Sequence, residues 1–202
     1  MRSSLRIVLT GGPGGGKTSF LQVAHRYLDF KLVVVPETAR GLKEAAPRGG
    51  RPHSNDVGFQ FEVLQAQLVA EAGLSSDPGV DLVLLDRGVF DGAAFIHVDE
   101  YRSILARVDL SEEEALLRYD GIVFVRSAAT LLGATVIRRV AADERSFLEH
   151  VRDAESKLLD VVRLHGNLEF VEARDDFDDM CRAIAAAVEA VVSNAARVVE
   201  RP

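Results

Sequence analysis

A glycine-rich run near the amino terminus has the residue types and spacing of a phosphate-binding loop. Residues 11–18 read Gly-Gly-Pro-Gly-Gly-Gly-Lys-Thr, which matches G-x-x-x-x-G-K-[ST] in full. In such a loop, glycines let backbone N–H groups turn toward phosphate oxygens, the lysine contacts the β- and γ-phosphates, and the hydroxyl binds Mg²⁺. The other interpretation is a glycine-rich turn with an incidental lysine. We expect the nucleotide to be bound by Gly11, Gly12, Pro13, Gly14, Gly15, Gly16, Lys17, Thr18 and Ser19.

An acidic residue ends the apolar run at residues 80–86, Val-Asp-Leu-Val-Leu-Leu-Asp. Asp86 is therefore predicted at the carboxyl end of a core strand, where open α/β sheets bind ligands. Together with Thr18, Asp86 is expected to hold Mg²⁺, through a water molecule, while Arg87 contacts a phosphate. Without the glycine-rich loop, the same pattern is typical of a strand that ends in a polar turn.

A second acidic residue, Glu37, follows the apolar run at residues 32–35 and Pro36. At the carboxyl end of a strand, its carboxylate can accept a proton from a substrate hydroxyl, or bind an amine or a sugar. It can equally be a helix-start acid that interacts favourably with the helix dipole. The position alone leaves both interpretations open.

Arginines follow the fourth apolar run, in a region that is predicted to be helical. Arg138, Arg139 and Arg145 lie within residues 128–147. A mobile guanidinium stabilises the negative charge that spreads over a transferring phosphoryl group, and we take Arg139 as the candidate. The alternative is a solvated helix face on which these arginines pair with Asp143, Glu144 and Glu149.

The elements that must position these residues alternate between strands and helices, which predicts a parallel sheet covered on both faces. Strands are predicted at residues 5–10, 31–35, 80–85, 121–125 and 168–171. Helices are predicted at residues 18–28, 56–71, 88–96, 100–108, 128–140, 143–165 and 176–199, with a capping box formed by Ser111 and Glu114. Residues 41–58 contain four glycines, two prolines and several basic residues, and are predicted to be a mobile binding loop or a disordered insertion.

Composition favours one soluble domain over residues 1–202. The net charge of −7 and the presence of only four lysines argue against a nucleic-acid partner, and the charge also argues against an anionic membrane. No apolar run is long enough to span a bilayer, so the cytoplasm is the expected compartment. Cys181 is the only cysteine and is expected to be a buried apolar residue. The oligomeric state stays open.

The residues after the fourth predicted strand bear on the choice of base. Phe-Val-Arg-Ser stands at residues 124–127, where a guanine-reading Asn-Lys-x-Asp element would follow in a Ras-like GTPase. ATP is therefore the expected nucleotide, with Mg²⁺.

Three stretches carry a resemblance to a known family: residues 9–18, residues 35–40, and residues 85–88 with Asp91. The chain resembles the small stand-alone AAA-domain ATPases related to the ribosylnicotinamide kinase domain of the bacterial NAD regulator, which are similar in architecture to nucleoside and nucleotide kinases. The resemblance implies a P-loop α/β fold with a five-stranded parallel sheet ordered 2-3-1-4-5 and a lid near residues 138–145. It also implies an acceptor pocket lined by Glu37, Arg40, Arg87 and Asp91.

These observations predict an ATP-dependent phosphotransferase that acts on a small hydroxyl-bearing or phosphorylated molecule. Glu37 or Asp86 would orient or deprotonate the acceptor, and Lys17, Mg²⁺ and a lid arginine would stabilise the phosphoryl group in transit. Two alternatives stay open. One is a nucleotide-dependent switch that acts on a protein or lipid partner, as is thought for one GTP- and phosphoinositide-binding member type of the family. The other is an ATPase with no separate acceptor.

Overall fold

Five apolar runs form one parallel sheet in the described part of the chain. The fold is taken from a computed structural model, which describes residues 4–46, 53–74, 79–127 and 142–199. The strands are β1 (Leu5–Thr10), β2 (Leu32–Val35), β3 (Leu82–Asp86), β4 (Gly121–Val125) and β5 (Leu168–Val171). Their order is 2-3-1-4-5, and each neighbouring pair is parallel. The predicted sheet and its order are confirmed.

Helices cover both faces of this sheet. The α-helices are α1 (Lys17–Val23), α2 (Thr38–Ala45), α3 (Val57–Ala72), α4 (Val98–Ala106), α5 (Glu112–Leu117), α6 (Ala142–Val162) and α7 (Phe177–Val199). Two 3₁₀ helices span Ala24–Arg26 and Val89–Ala94. None of the helices in the described ranges combines the length and apolar character needed to cross a membrane.

Alternate residues of the central strands supply two separate cores. On one face, Ile7 and Leu9 pack with α1 and α7, where Cys181 is fully buried as predicted. On the other face, Val8 and Leu85 pack with α3, α4, α5, α6 and the second 3₁₀ helix. Strands buried on both faces explain the continuous apolar runs in the sequence. All five carboxyl ends lie along one edge of the sheet, which is where the polar residues predicted to be functional follow β1, β2 and β3.

Several predicted boundaries are wrong, each for a local reason. The helix predicted over residues 18–28 ends at Val23, and a 3₁₀ turn then carries the chain toward β2. The third strand begins at Leu82 and not at residue 80, because the Asp81 carboxylate accepts a hydrogen bond from the Lys31 amide at 3.0 Å. The helix predicted over residues 88–96 is the second 3₁₀ helix.

The loop predicted over residues 41–58 is wrong at its amino-terminal end, and its last residues belong to the helix that was predicted to begin at residue 56. Helix α2 continues through Ala45, because its alanines, leucine, lysine and glutamate favour a helix more than Gly41 opposes it. At the other end, the Asp56 carboxylate accepts the Phe59 amide at 2.7 Å and starts α3. Residues 47–52, and the helix predicted over residues 128–140, lie outside the described residues.

Candidate nucleotide site

The glycine-rich loop joins the end of β1 to the start of α1. Gly11, Gly14 and Gly16 adopt positive φ angles of 120°, 77° and 81°, which are favourable only for glycine. The loop also rests on the segment after β4, where the Ser127 hydroxyl donates to the Pro13 carbonyl at 2.6 Å. The loop therefore has a path that only its sequence allows, as a phosphate-binding loop requires.

Lys17 is almost fully buried beneath this loop. Its Nζ donates to the carbonyl oxygens of Gly11 and Gly12 at 3.1 and 2.7 Å. Burial, followed by the nearby Arg87, lowers the pKa of Lys17 to about 7, although neighbouring carboxylates oppose the change. An ammonium that is held only by carbonyl oxygens is readily stabilised by phosphate oxygens.

Thr18 and Asp86 lie together where β1 and β3 end. The Thr18 hydroxyl donates to Asp86 Oδ2 at 2.6 Å, and Asp86 is 2% exposed. A hydroxyl and a carboxylate are hard oxygen ligands of the kind that Mg²⁺ prefers when phosphates and water complete its shell. Within the described residues, no group of three or more His, Cys, Asp or Glu side chains can hold a metal by itself. This pair therefore fits a metal that arrives with the nucleotide.

Arg87 connects the loop to the end of β2. Its Nη1 donates to the Gly11 carbonyl at 3.0 Å and to Asp91 Oδ1 at 2.9 Å, and its Nε lies 3.6 Å from Glu37 Oε1. Its backbone has a φ of 83°, which is unfavourable for a residue with a Cβ. Such strain is retained where the surroundings fix the residue, often at functional sites.

Asp91 acts as a support for Arg87. In addition to the guanidinium, its carboxylate accepts the Thr10 hydroxyl at 2.7 Å and the Gly88 amide at 2.8 Å. With these three partners and little exposure, Asp91 is engaged entirely within the protein. Its geometry supports Arg87 more directly than it supports contact with a substrate.

A buried network behind Arg87 was not foreseen from the sequence. Gln67 Nε2 donates to the Arg87 carbonyl at 3.2 Å and to Glu71 Oε1 at 3.1 Å. Glu71 is fully buried and accepts from Arg118 at 2.9 Å and from the Tyr119 hydroxyl at 2.7 Å. Burial raises the pKa of Tyr119 well above its usual value. The available signal was a glutamine and a glutamate four residues apart on the buried face of α3.

A second support, Glu155 on α6, was also missed. Its Oε2 accepts the Ser127 amide at 3.1 Å, and burial raises the pKa of its carboxyl. A Cβ on Gly12 would lie 2.5 Å from this Oε2, so the loop and the glutamate are in direct contact. Nothing in the local sequence marks Glu155, because it is brought to the loop only by the packing of α6.

Glu37 lies in the walls of two cavities near the carboxyl ends of the strands. The first, the inner cavity, is narrow, with a volume of about 60 Å³, and lies between α2, α3 and the second 3₁₀ helix. Its polar lining includes Glu37, Arg87 and Asp91, and its apolar lining includes Phe59, Val63 and Phe95. The second, the outer cavity, has a volume of about 470 Å³ and is lined by Thr18, Asp86 and Arg40, among others.

The remaining predicted residues are placed as follows. Arg40 is half exposed, lies 3.5 Å from Glu37, and borders the outer cavity but not the inner one. Arg138 and Arg139 lie outside the described residues, so the structure says nothing about the predicted lid. Arg145 lies in α6, and its side chain is likewise outside what is described.

These features define a P-loop nucleoside-triphosphate-binding protein. The parallel sheet is ordered 2-3-1-4-5 and has a glycine-rich loop after β1, a buried lysine, and a threonine that is hydrogen-bonded to the aspartate at the end of β3. Comparison with protein families agrees, since a family model described as an AAA domain matches residues 6–188. The chain belongs to this AAA-domain family. No curated protein matches the chain.

Proposed function

We propose that the protein is a Mg²⁺-dependent kinase that transfers the γ-phosphoryl group of ATP to a hydroxyl group of a small molecule. The observation that carries the proposal is the inner cavity, which Arg87 connects to the phosphate loop. Arg87 lines that cavity and also contacts the loop carbonyl of Gly11, so a molecule bound there would lie next to the phosphates. An ATPase that uses only water has no need for a second pocket with convergent polar groups.

Glu37 is the proposed base or anchor for the acceptor. Its carboxylate faces Arg87 Nε at 3.6 Å and is about one quarter exposed, so it is available to a molecule in the cavity. In the proposed reaction the acceptor oxygen forms a bond to the γ-phosphorus while the bond from that phosphorus to the bridging oxygen breaks. ADP leaves with that electron pair, and the hydroxyl proton passes to Glu37 and then to solvent.

Lys17, with Mg²⁺ held at Thr18 and Asp86, would stabilise the negative charge on the phosphates during transfer. Arg87 is a described guanidinium that contacts the phosphate loop, and Arg139 of the predicted lid is a second candidate. Catalysis of this kind comes mainly from positioning and from charge stabilisation, because the phosphoryl group requires little covalent help from the protein.

The test is transfer of labelled γ-phosphate from ATP to the small molecules of a metabolite extract, measured for the wild type and for Glu37→Gln. The amide should leave ATP affinity nearly unchanged and lower transfer by about 10²- to 10⁴-fold, the usual contribution of a positioned base. Slow hydrolysis by water should change much less. Glu62→Gln, which alters an exposed glutamate of α3, is the matched control.

Two outcomes would contradict the proposal. If no small molecule in the extract is labelled while ATP is hydrolysed, the protein is an ATPase or a nucleotide-dependent switch. If Glu37→Gln lowers transfer and hydrolysis equally, Glu37 belongs to the triphosphate machinery and not to an acceptor site.

A further inference from the structure

Lys43 lines the inner cavity from the last turn of α2, whereas Glu37 lines it from the start of that helix, and Lys43 differs from the other charged groups there in its partners. Its Nζ donates to the Ser54 hydroxyl at 2.6 Å and lies 5.3 Å from the centroid of the Phe59 ring. Both partners are electrically neutral. In the described part of the chain, Lys43 forms no ion pair with a carboxylate, whereas Arg87 is paired with Asp91 and Glu37.

The surroundings hold this ammonium in place. Phe59 is buried, and its ring face attracts the cation, while Ser54 is itself fixed by the Gln60 amide, which donates to the Ser54 carbonyl. Gln60 is also buried and lines the same cavity. Lys43 is half-buried and its rotamer is restricted. Binding a ligand therefore costs it less side-chain entropy than it would cost a flexible surface lysine.

The cavity therefore has two polar ends of different character. At the start of α2, Glu37 is paired with Arg87 and Arg40, and this group can bind a hydroxyl group. At the last turn of α2, Lys43 contributes a positive charge that no described carboxylate neutralises. Apolar side chains, Val63 and Phe95 among them, lie along the walls. A half-buried ammonium with neutral partners gains most from an oxyanion, because the attraction between opposite charges then adds to the hydrogen bond.

We propose that Lys43 forms an anion subsite in the acceptor pocket, so that the acceptor is a hydroxylated small molecule with an oxyanion at the end opposite the reacting hydroxyl. This inference rests on the proposed kinase function and adds the class of acceptor to it. The oxyanion is a phosphate ester or a carboxylate, and the two share the chemistry that Lys43 recognises.

A structural role for Lys43 makes a different set of predictions. A lysine in the last turn of α2 stabilises that helix through the helix dipole, and its bond to Ser54 connects α2 to the chain before α3. If that were its whole role, replacing it would lower stability but would not change which molecules are phosphorylated.

The first experiment detects the subsite without knowing the acceptor. The protein is loaded with Mg²⁺ and a non-hydrolysable ATP analogue, which occupies the phosphate loop, and is then briefly acetylated with and without inorganic phosphate or acetate. The chain has only four lysines, so mass spectrometry reports each one separately. Phosphate or acetate at equal ionic strength should slow acetylation of Lys43 about fivefold or more and leave exposed Lys31 unchanged. Equal rates for Lys43 in chloride, in phosphate and in acetate would overturn the proposal.

The second experiment uses a metabolite extract that is first divided by anion exchange into a neutral and an anionic fraction. Each fraction is then tested separately for transfer of labelled γ-phosphate from ATP. Only the anionic fraction should contain molecules that become labelled. If the oxyanion is a phosphate ester, treating that fraction with phosphatase before the assay should abolish labelling. If the oxyanion is a carboxylate, the treatment should leave labelling unchanged. Lys43→Met should lower transfer at limiting acceptor by about 10- to 100-fold without changing ATP hydrolysis, and Lys43→Arg should retain part of it. Lys31→Met, which removes an exposed lysine, is the control.

The outcomes separate the two proposals. Labelling of the neutral fraction, or unchanged transfer by a folded Lys43→Met protein, would overturn the anion subsite and leave the kinase proposal standing. An absence of labelling in every fraction, together with selective protection of Lys43, would overturn the kinase proposal and leave the subsite standing.

Discussion

The path of the phosphate loop predicts very different costs for adding one methyl group at two of its glycines. At Gly11, where φ is 120°, a Cβ would lie 2.9 Å from the carbonyl carbon of Val125 and even closer to its oxygen. Val125 is a fully buried residue of β4, hydrogen-bonded within the sheet, and cannot move aside. At Gly14, where φ is 77°, a Cβ meets no heavy atom within 4 Å.

Gly14→Ala should therefore lower the free energy of unfolding only by the cost of an alanine in a left-handed conformation, about 1–2 kcal/mol. Gly11→Ala should add overpacking against rigid backbone, about 1–3 kcal/mol, to backbone strain of about 1–3 kcal/mol, for a total of about 2–6 kcal/mol. Urea denaturation of the nucleotide-free proteins measures both, since bound ligand would mask the difference. Equal destabilisation by the two substitutions would refute this account of the loop.

Two further predictions concern the phosphates and the metal. Asp86→Asn should weaken nucleotide binding in the presence of Mg²⁺ more than binding without metal, because it removes an anionic oxygen and keeps the side chain's shape. An unchanged Mg²⁺ titration would make Asp86 a simple strand-ending acid. Lys17 has a pKa of about 7 before phosphates bind, and their negative charge should raise it. Affinity for ATP–Mg²⁺ should therefore be level below pH 7 and fall at higher pH, with uptake of close to one proton at pH 8. Calorimetry in two buffers of different ionisation enthalpy measures that uptake, and its persistence in Lys17→Ala would contradict the assignment.

The strands of this protein could be predicted closely because burial on both faces leaves a direct trace in the sequence. β1, β4 and β5 have the predicted bounds. β4 is a buried apolar run, and β1 and β5 are apolar at most positions, although they include Arg6 and Glu169; all three are flanked by polar residues or glycine. Helix boundaries were harder. The glycines and prolines of residues 47–52 suggested that the whole of residues 41–58 was a loop, although favourable helix formers extend α2 to Ala45.

The parts of the candidate site that are local in sequence could be predicted, and the parts made by packing could not. The approach of Thr18 to Asp86 follows from the rule that parallel strands end at one edge. The support of Arg87 by Gln67, and the contact of Glu155 with the loop, depend on how α3 and α6 dock on the sheet. Residues so far apart in the sequence leave no short motif that could have indicated them.

The most direct test of the central claim, that this is a nucleoside-triphosphate site with Mg²⁺, is a calorimetric titration of ATP–Mg²⁺ into the wild-type protein and into Lys17→Ala. The wild type should bind one equivalent. The variant should lose most of its affinity, because the buried ammonium that would contact the β- and γ-phosphates is gone while the loop's N–H groups remain. Equal affinity in the two proteins, or no binding by the wild type, would contradict the claim.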